Sequence, residues 1–144
     1  MAREDGPPVS AAFLLMTLGR RVRDEVEAGL RAEAMSLRHL SALGHLASGP
    51  GLSYSELARR AGVTPQSMQA TLNALEARGA VVRVTHPGRG RRAELHVTDE
   101  GERLRGVGRG ILAAIDDRIA EQLPDEAATA VTQALLALMR APGV

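Results

Sequence analysis

Residues 53–98 read SYSELARRAGVTPQSMQATLNALEARGAVVRVTHPGRGRRAELHVT, and this stretch decides the fold. It opens on Ser53 with Glu56 three residues later, the pattern in which serine and glutamate each satisfy a free backbone donor at a helix start. Leu57 and Ala58 fall on the inward face of that helix. Gly62 ends it, in the left-handed conformation that glycine adopts at little cost. Thr64-Pro65 restarts the chain: the threonine caps, and proline at the first helical position gives up only a donor that had no partner. Met68, Leu72 and Leu75 recur at i, i+4 and i+7, so they are the buried stripe and leave Gln66, Ser67, Gln69, Ala70 and Asn73 outside. Gly79 ends this second helix. Helix, short glycine-bearing turn, helix is the order of a helix-turn-helix.

Two β-rich runs follow, AVVRVTH at 80–86 and AELHVT at 93–98, separated by PGRGRR. In the first, Val82 and Val84 point one way and Val81 and Arg83 the other; in the second, Leu95 and Val97 alternate with Glu94 and His96. Pro87, Gly88 and Gly90 mark the loop of a hairpin, with Arg89, Arg91 and Arg92 at or beside its tip. The stretch therefore predicts a winged helix-turn-helix.

On either side the chain is helical. Residues 1–7 read as a frayed polar tail. From Pro8, Leu15, Leu18, Val22 and Val26 recur at helical spacing, with Phe13, Leu14 and Met16 widening the stripe, and Gly29 lies near the helix end. Ser36 caps the next helix, with Leu37, Leu40, Leu43 and Leu46 inside; residues 48–51, SGPG, stop it. Thr98 caps a long helix from Asp99 to about Gln122, with Asp99, Glu100 and Glu102 at its positive end. Its stripe is Val107, Ile111, Ile115 and Ile119. Pro124 begins a last helix with Ala127, Val131, Leu135 and Leu138 on one face. The expected organisation is one domain of 144 residues: tail 1–7, first helix 8–35, reading region 36–98, closing helices 99–144.

The formal net charge is only +1, but it is unevenly spread. Between Ser53 and Val97 seven arginines (Arg59, Arg60, Arg78, Arg83, Arg89, Arg91, Arg92) face three acids (Glu56, Glu76, Glu94), while the remainder carries eleven arginines and fourteen acids. The plain reading of such a segment is a solvated face; the functional one is a footprint for phosphates. Lysine is absent, which fits a GC-rich coding sequence as well as any selection for arginine. Cysteine is absent too, which excludes disulfides and cysteine-based sensing. Phe13 and Tyr54 are the only aromatic residues, so the stacking platform of a single-strand or RNA reader is missing. The opening MAREDGPP lacks the apolar core of a signal peptide and no apolar run approaches a membrane span, so a cytoplasmic protein with no membrane partner is expected.

In order and spacing these pieces resemble the MarR family of winged helix-turn-helix regulators. The matching residues are the apolar helix around Leu40 and Leu43, S-x-x-ELA at 53–58, T-P-Q-S at 64–67, LEARG at 75–79 before a strand, RRA at 91–93 and VTDEG at 97–101. The resemblance covers residues 10 to 140. It implies a mainly α fold with a small β-hairpin wing, and a homodimer whose body is formed by the N- and C-terminal helices. It also implies a pseudo-palindromic double-stranded DNA operator read as two half-sites about one helical turn apart. A repressor is implied, relieved by a small-molecule effector bound between the dimer body and the reading heads; the expected pocket is lined by the first, second and fifth helices.

The expected DNA contacts follow. Thr64, Gln66, Ser67, Gln69, Ala70 and Asn73 lie on or beside the reading helix, where Gln and Asn pair with adenine's major-groove edge and serine with either partner. Ala70 stands where many relatives carry arginine, though alanine can still touch a thymine methyl. Arg89, Arg91 and Arg92 suit a narrow minor groove; the aspartate that usually holds the wing arginine is replaced by Gly90. For the helix the plainer reading is an ordinary wet face, and for the hairpin a charged, soluble tip. Arg59, Arg60 and Arg83 are weaker phosphate candidates. Ala70 and Gly90 also favour an alternative, a winged-helix module for protein interaction that has lost DNA reading. No cofactor is expected, and no metal: His39 and His45 sit about 240° apart around one helix. With no GxSxG, HExxH or Walker loop, an enzyme is not expected.

Overall fold

Short polar side chains start most of the helices, and they do so where the spacing places them. The structure is a computed structural model and describes residues 9–49, 51–85 and 93–143. Ser10 caps α1 (Ala11–Leu30), its hydroxyl accepting from the Phe13 N–H, so the helix begins after the expected Pro8, which lies outside the described residues. Ser36 caps α2 (Leu37–Ser48). Ser53 and Glu56 form the reciprocal box at the head of α3 (Tyr54–Ala61): the Ser53 N–H donates to Glu56 Oε2 at 2.9 Å and the Glu56 N–H to Ser53 Oγ at 3.3 Å. Thr64 caps α4 (Pro65–Ala77), accepting from the Ser67 N–H at 3.1 Å. Strands β1 (Val81–Thr85) and β2 (Ala93–Val97) pair antiparallel, with Val81 opposite Val97 and Arg83 opposite Leu95. Thr98 then accepts from the Gly101 N–H at 3.1 Å and opens α5 (Asp99–Glu121); α6 spans Asp125–Arg140.

The chain divides after Arg109 into two units, the second containing the end of α5 and all of α6. In the first unit α2, α3 and α4 close around Leu43, Leu46, Leu57, Met68, Leu72 and Leu75, none more than 1% exposed. Burying each side chain of this size contributes roughly 1.5–3 kcal/mol relative to leaving it in water. The hairpin adds Val81 and Leu95 to this core and leaves Val82 nearly half exposed.

Several expected stripes are only partly buried. In α1, Val26 and Leu30 are buried, whereas Leu15 and Leu18 at its start are 41% and 53% exposed. In α2, Leu43 and Leu46 are buried and Leu37 and Leu40 only half-buried. In the second unit Val131, Leu135 and Leu138 of α6 all remain near 40% exposed. Among the described residues, no helix is long and apolar enough to cross a membrane.

Candidate nucleic-acid interface

The reading helix α4 is held at both ends. At its start is the Thr64 cap. At its end Gly79 takes φ +73°, donating to the Glu76 carbonyl at 2.9 Å, while the Ala80 N–H donates to the Leu75 carbonyl at 2.9 Å. This is the paired closure that a left-handed glycine permits. The Thr98 hydroxyl donates to the Gly79 carbonyl at 2.5 Å, and the Thr98 N–H donates to the Ala80 carbonyl at 3.1 Å, so one residue ties the end of α4 to the start of α5. Gly101 is required here by proximity: a Cβ would collide with the Ala80 carbonyl oxygen and the Val97 side chain.

Between its ends α4 buries Met68, Thr71, Leu72 and Leu75. The Thr71 hydroxyl is spent on the Ser67 carbonyl at 3.0 Å. Gln66, Gln69, Ala70 and Asn73 are exposed, Thr64 is exposed at the cap, and Ser67 is half-buried. Gln66, Ala70 and Asn73 lie at i, i+4 and i+7 and form one outward stripe with Gln69 beside it. The helix carries no charged residue on that stripe; its one charge, Glu76, points to Arg83.

The arginines separate into two classes. Arg83 is spoken for: its guanidinium pairs with Glu76 at 3.1 Å, hydrogen-bonds the Tyr54 hydroxyl and stacks 5.2 Å from the Tyr54 ring centre. The Glu76 hydrogen bond raises the pKa of Arg83 above its ordinary value. Arg83, a weaker phosphate candidate in the sequence, is exposed, and Glu76 and Tyr54 compete with any phosphate for its guanidinium. Arg78 is equally engaged, donating to the Ala34 and Glu33 carbonyls at 2.9 and 2.5 Å. It straps the end of α4 to the connector after α1, where Ala34 sits at φ +51°, a conformation L-residues seldom adopt. Arg103 bridges Glu33 and Glu100 at 3.0 and 2.8 Å, and holds both carboxyls below the usual range. Arg59 and Arg60 on α3 are exposed. Arg89, Arg91 and Arg92, and Gly90 with them, lie outside the described residues.

A cavity of about 420 Å³ opens beside α4, lined by Glu27, Ser36, Arg38, His39, Ala70 and Thr71. It is formed by α1, α2 and α4. His39 closes the start of α2 in the place glutamate takes in α3: its Nδ1 accepts from the Ser36 N–H at 3.1 Å. Burial, then the charges of Arg78 and Arg38, lower its pKa against the opposing pull of Glu27. The Glu27 carboxylate is used as well, accepting from the Leu37 N–H at 3.1 Å. Sequence reading passed over Arg38 because it precedes the helix-turn-helix; its place two residues after the Ser36 cap is the one local signal it carries.

Known proteins are similar to this chain in sequence and fold. Residues 35–92 match the model of the MarR family. The HTH-type transcriptional repressor Rv2887 of Mycobacterium tuberculosis is 36% identical over 123 residues, 85% of this chain and 87% of that protein. A crystal structure of the same mycobacterial protein in complex with DNA has a TM-score of 0.75 at 30% identity, covering 91% of this chain and 98% of that one. Its complex with salicylic acid has a TM-score of 0.71 at 34% identity, covering 93% and 98%. With 36% identity to one of its members along most of both chains, this chain belongs to the MarR family.

Proposed function

We propose that the chain is a homodimeric, sequence-specific double-stranded DNA-binding regulator of transcription that acts as a repressor in the cytoplasm. The observation that carries this reading is the face of α4: a helix capped at both ends, buried on one side to 4% exposure or less, presenting Gln66, Gln69, Ala70 and Asn73 on the other. Fixed polar side chains on a rigid helix are what base-edge recognition in the major groove requires. The mycobacterial relative, named a repressor and crystallised with DNA, supports it.

In this reading residues 36–98 are the reading head, with Thr64 and Ser67 at the helix start and Arg89, Arg91 and Arg92 of the wing in the minor groove. Residues 8–35 and 99–144 build the dimer body. The apolar side chains left exposed on α1 and α6 are the surface a second copy covers. Two heads then meet two half-sites of a pseudo-palindromic operator. A small-molecule effector, with salicylic acid bound by the relative as the guide to its class, shifts the heads away from the spacing DNA demands. That coupling requires about 1–3 kcal/mol. The chain needs no cofactor and performs no catalysis in this role.

The experiment is selection of duplexes from a randomised pool, followed by anisotropy titration over a range of salt. A specific palindrome whose affinity falls steeply with salt is expected. Gln69→Ala should relax preference at one base position of each half-site, a cost of about 1–3 kcal/mol. Absence of any enriched duplex would overturn the assignment and leave a protein-interaction module in its place.

A further inference from the structure

The reading helix has no cation of its own. From Pro65 to Ala77 it contains neither arginine nor lysine. Phosphate contacts fix the register of a reading element on DNA and supply most of its salt-dependent affinity. The two arginines that follow α4 in sequence already have partners, Arg78 on backbone carbonyls and Arg83 on Glu76 and Tyr54. A neighbouring element can supply the cation that α4 lacks.

Arg38 stands in that place. It is exposed on the first turn of α2 and lines the same cavity as Ala70, the middle member of the outward stripe Gln66, Ala70 and Asn73. Alanine projects little beyond the helix backbone, so the stripe is lowest beside Arg38. Among the described residues Arg38 has no ion pair, and the carboxylate that shares the cavity, Glu27, accepts from the Leu37 N–H. This distinguishes Arg38 from Arg83, Arg103 and Arg105, each held by a carboxylate.

We propose that Arg38 is a DNA-contact residue, which binds the backbone phosphate flanking the bases read by α4 and replaces, from α2, a cation that Ala70 cannot supply. The assignment rests on the DNA-reading role proposed above. It makes α2 part of the interface and gives Ala70 a reason: a long side chain there would occupy the opening through which Arg38 reaches.

The test uses the intact protein and the duplex that the wild type selects. Affinity is measured as a function of salt for wild type, Arg38→Gln, Arg38→Lys and the double variant Arg38→Gln with Ala70→Arg. Each dimer loses two phosphate contacts in Arg38→Gln, so the slope of log K against log salt should fall by about 1.8. The loss should be uniform across sequence variants of the duplex. Arg38→Lys should keep the slope, and Ala70→Arg should restore it in the Arg38→Gln background. A folded, dimeric Arg38→Gln with the wild-type slope overturns the proposal, as does a loss confined to one base position. A wild type that selects no duplex overturns the DNA-reading assignment itself, and this inference with it.

Discussion

Helices α4 and α6 carry the same kind of sequence signature and meet opposite surroundings. Met68, Leu72 and Leu75 recur on α4 as Val131, Leu135 and Leu138 recur on α6, at the same spacing of four and three residues. The α4 set is at most 1% exposed; the α6 set is 39–41% exposed, and no residue of α6 is buried. Periodicity states only that a helix has an apolar face. Whether that face is satisfied within its own chain depends on what packs there. For α4 the answer is α2, α3 and the hairpin. The exposed face of α6, like Leu14, Leu15, Met16 and Leu18 of α1, is too rich in large apolar groups to be a natural end point in water. Its expected occupant is a second copy of the chain.

The comparison can be broken most directly at α6. Charging its face with Leu135→Glu and Leu138→Glu should leave the reading head folded but separate the dimer in sedimentation. Affinity for a two-half-site duplex should then fall by roughly 10²–10⁴-fold as avidity is lost. A variant that stays dimeric with unchanged affinity would refute the assignment of that face. The opposite outcome is expected for α4. Leu72→Ala removes a side chain with no exposure and should lower stability by about 2–5 kcal/mol in urea unfolding, through the cavity left behind. If Leu72→Ala cost no more than an exposed Leu→Ala on α6 in the dissociated chain, the contrast between the two helices would fail.

The smallest expected effect concerns pH. His39 in the folded chain has a pKa below its ordinary 6.5, from burial first and then the charges of Arg78 and Arg38. The unfolded chain binds this proton at the ordinary value and the folded chain resists it. Stability is therefore complete above about pH 6.5 and declines as pH falls below it toward the folded value. Protonation at Nδ1 also removes the acceptor for the Ser36 N–H. His39→Gln keeps an acceptor at that position without a proton to gain. Its urea midpoint should change less than that of the wild type between about pH 7.5 and about pH 5.5. An equal change in both would show that other groups carry the pH dependence.

Much of the reading head was legible in the chain. The caps at Ser53 and Thr64, the glycine at Gly79 and the stripe of α4 are local devices. Each works through residues no more than five apart, and the structure places them where their spacing says. The outward side of α4 followed by subtraction. Legibility failed where a residue's role depends on distant partners. Arg83 looks like a free cation in sequence, and only the strand register places it over Glu76 and Tyr54. Arg78 looks like part of a basic footprint, yet it is bonded 44 residues away to the connector after α1. His39 carries no signal of its own in the sequence, though it closes the first turn of α2 as glutamate closes that of α3.

By itself, then, the sequence determined where helices start and stop, which side of each is apolar, and that a hairpin follows the reading helix. These are consequences of backbone donors, glycine conformations and side-chain period, all settled within one or two turns. Only the tertiary structure decided which apolar faces find partners inside the chain, which arginines are already engaged, and that Arg38 stands beside Ala70. Those depend on packing between segments far apart in the chain. A carboxylate or a carbonyl that holds a guanidinium competes with a phosphate for it, and no local pattern records which ones are held.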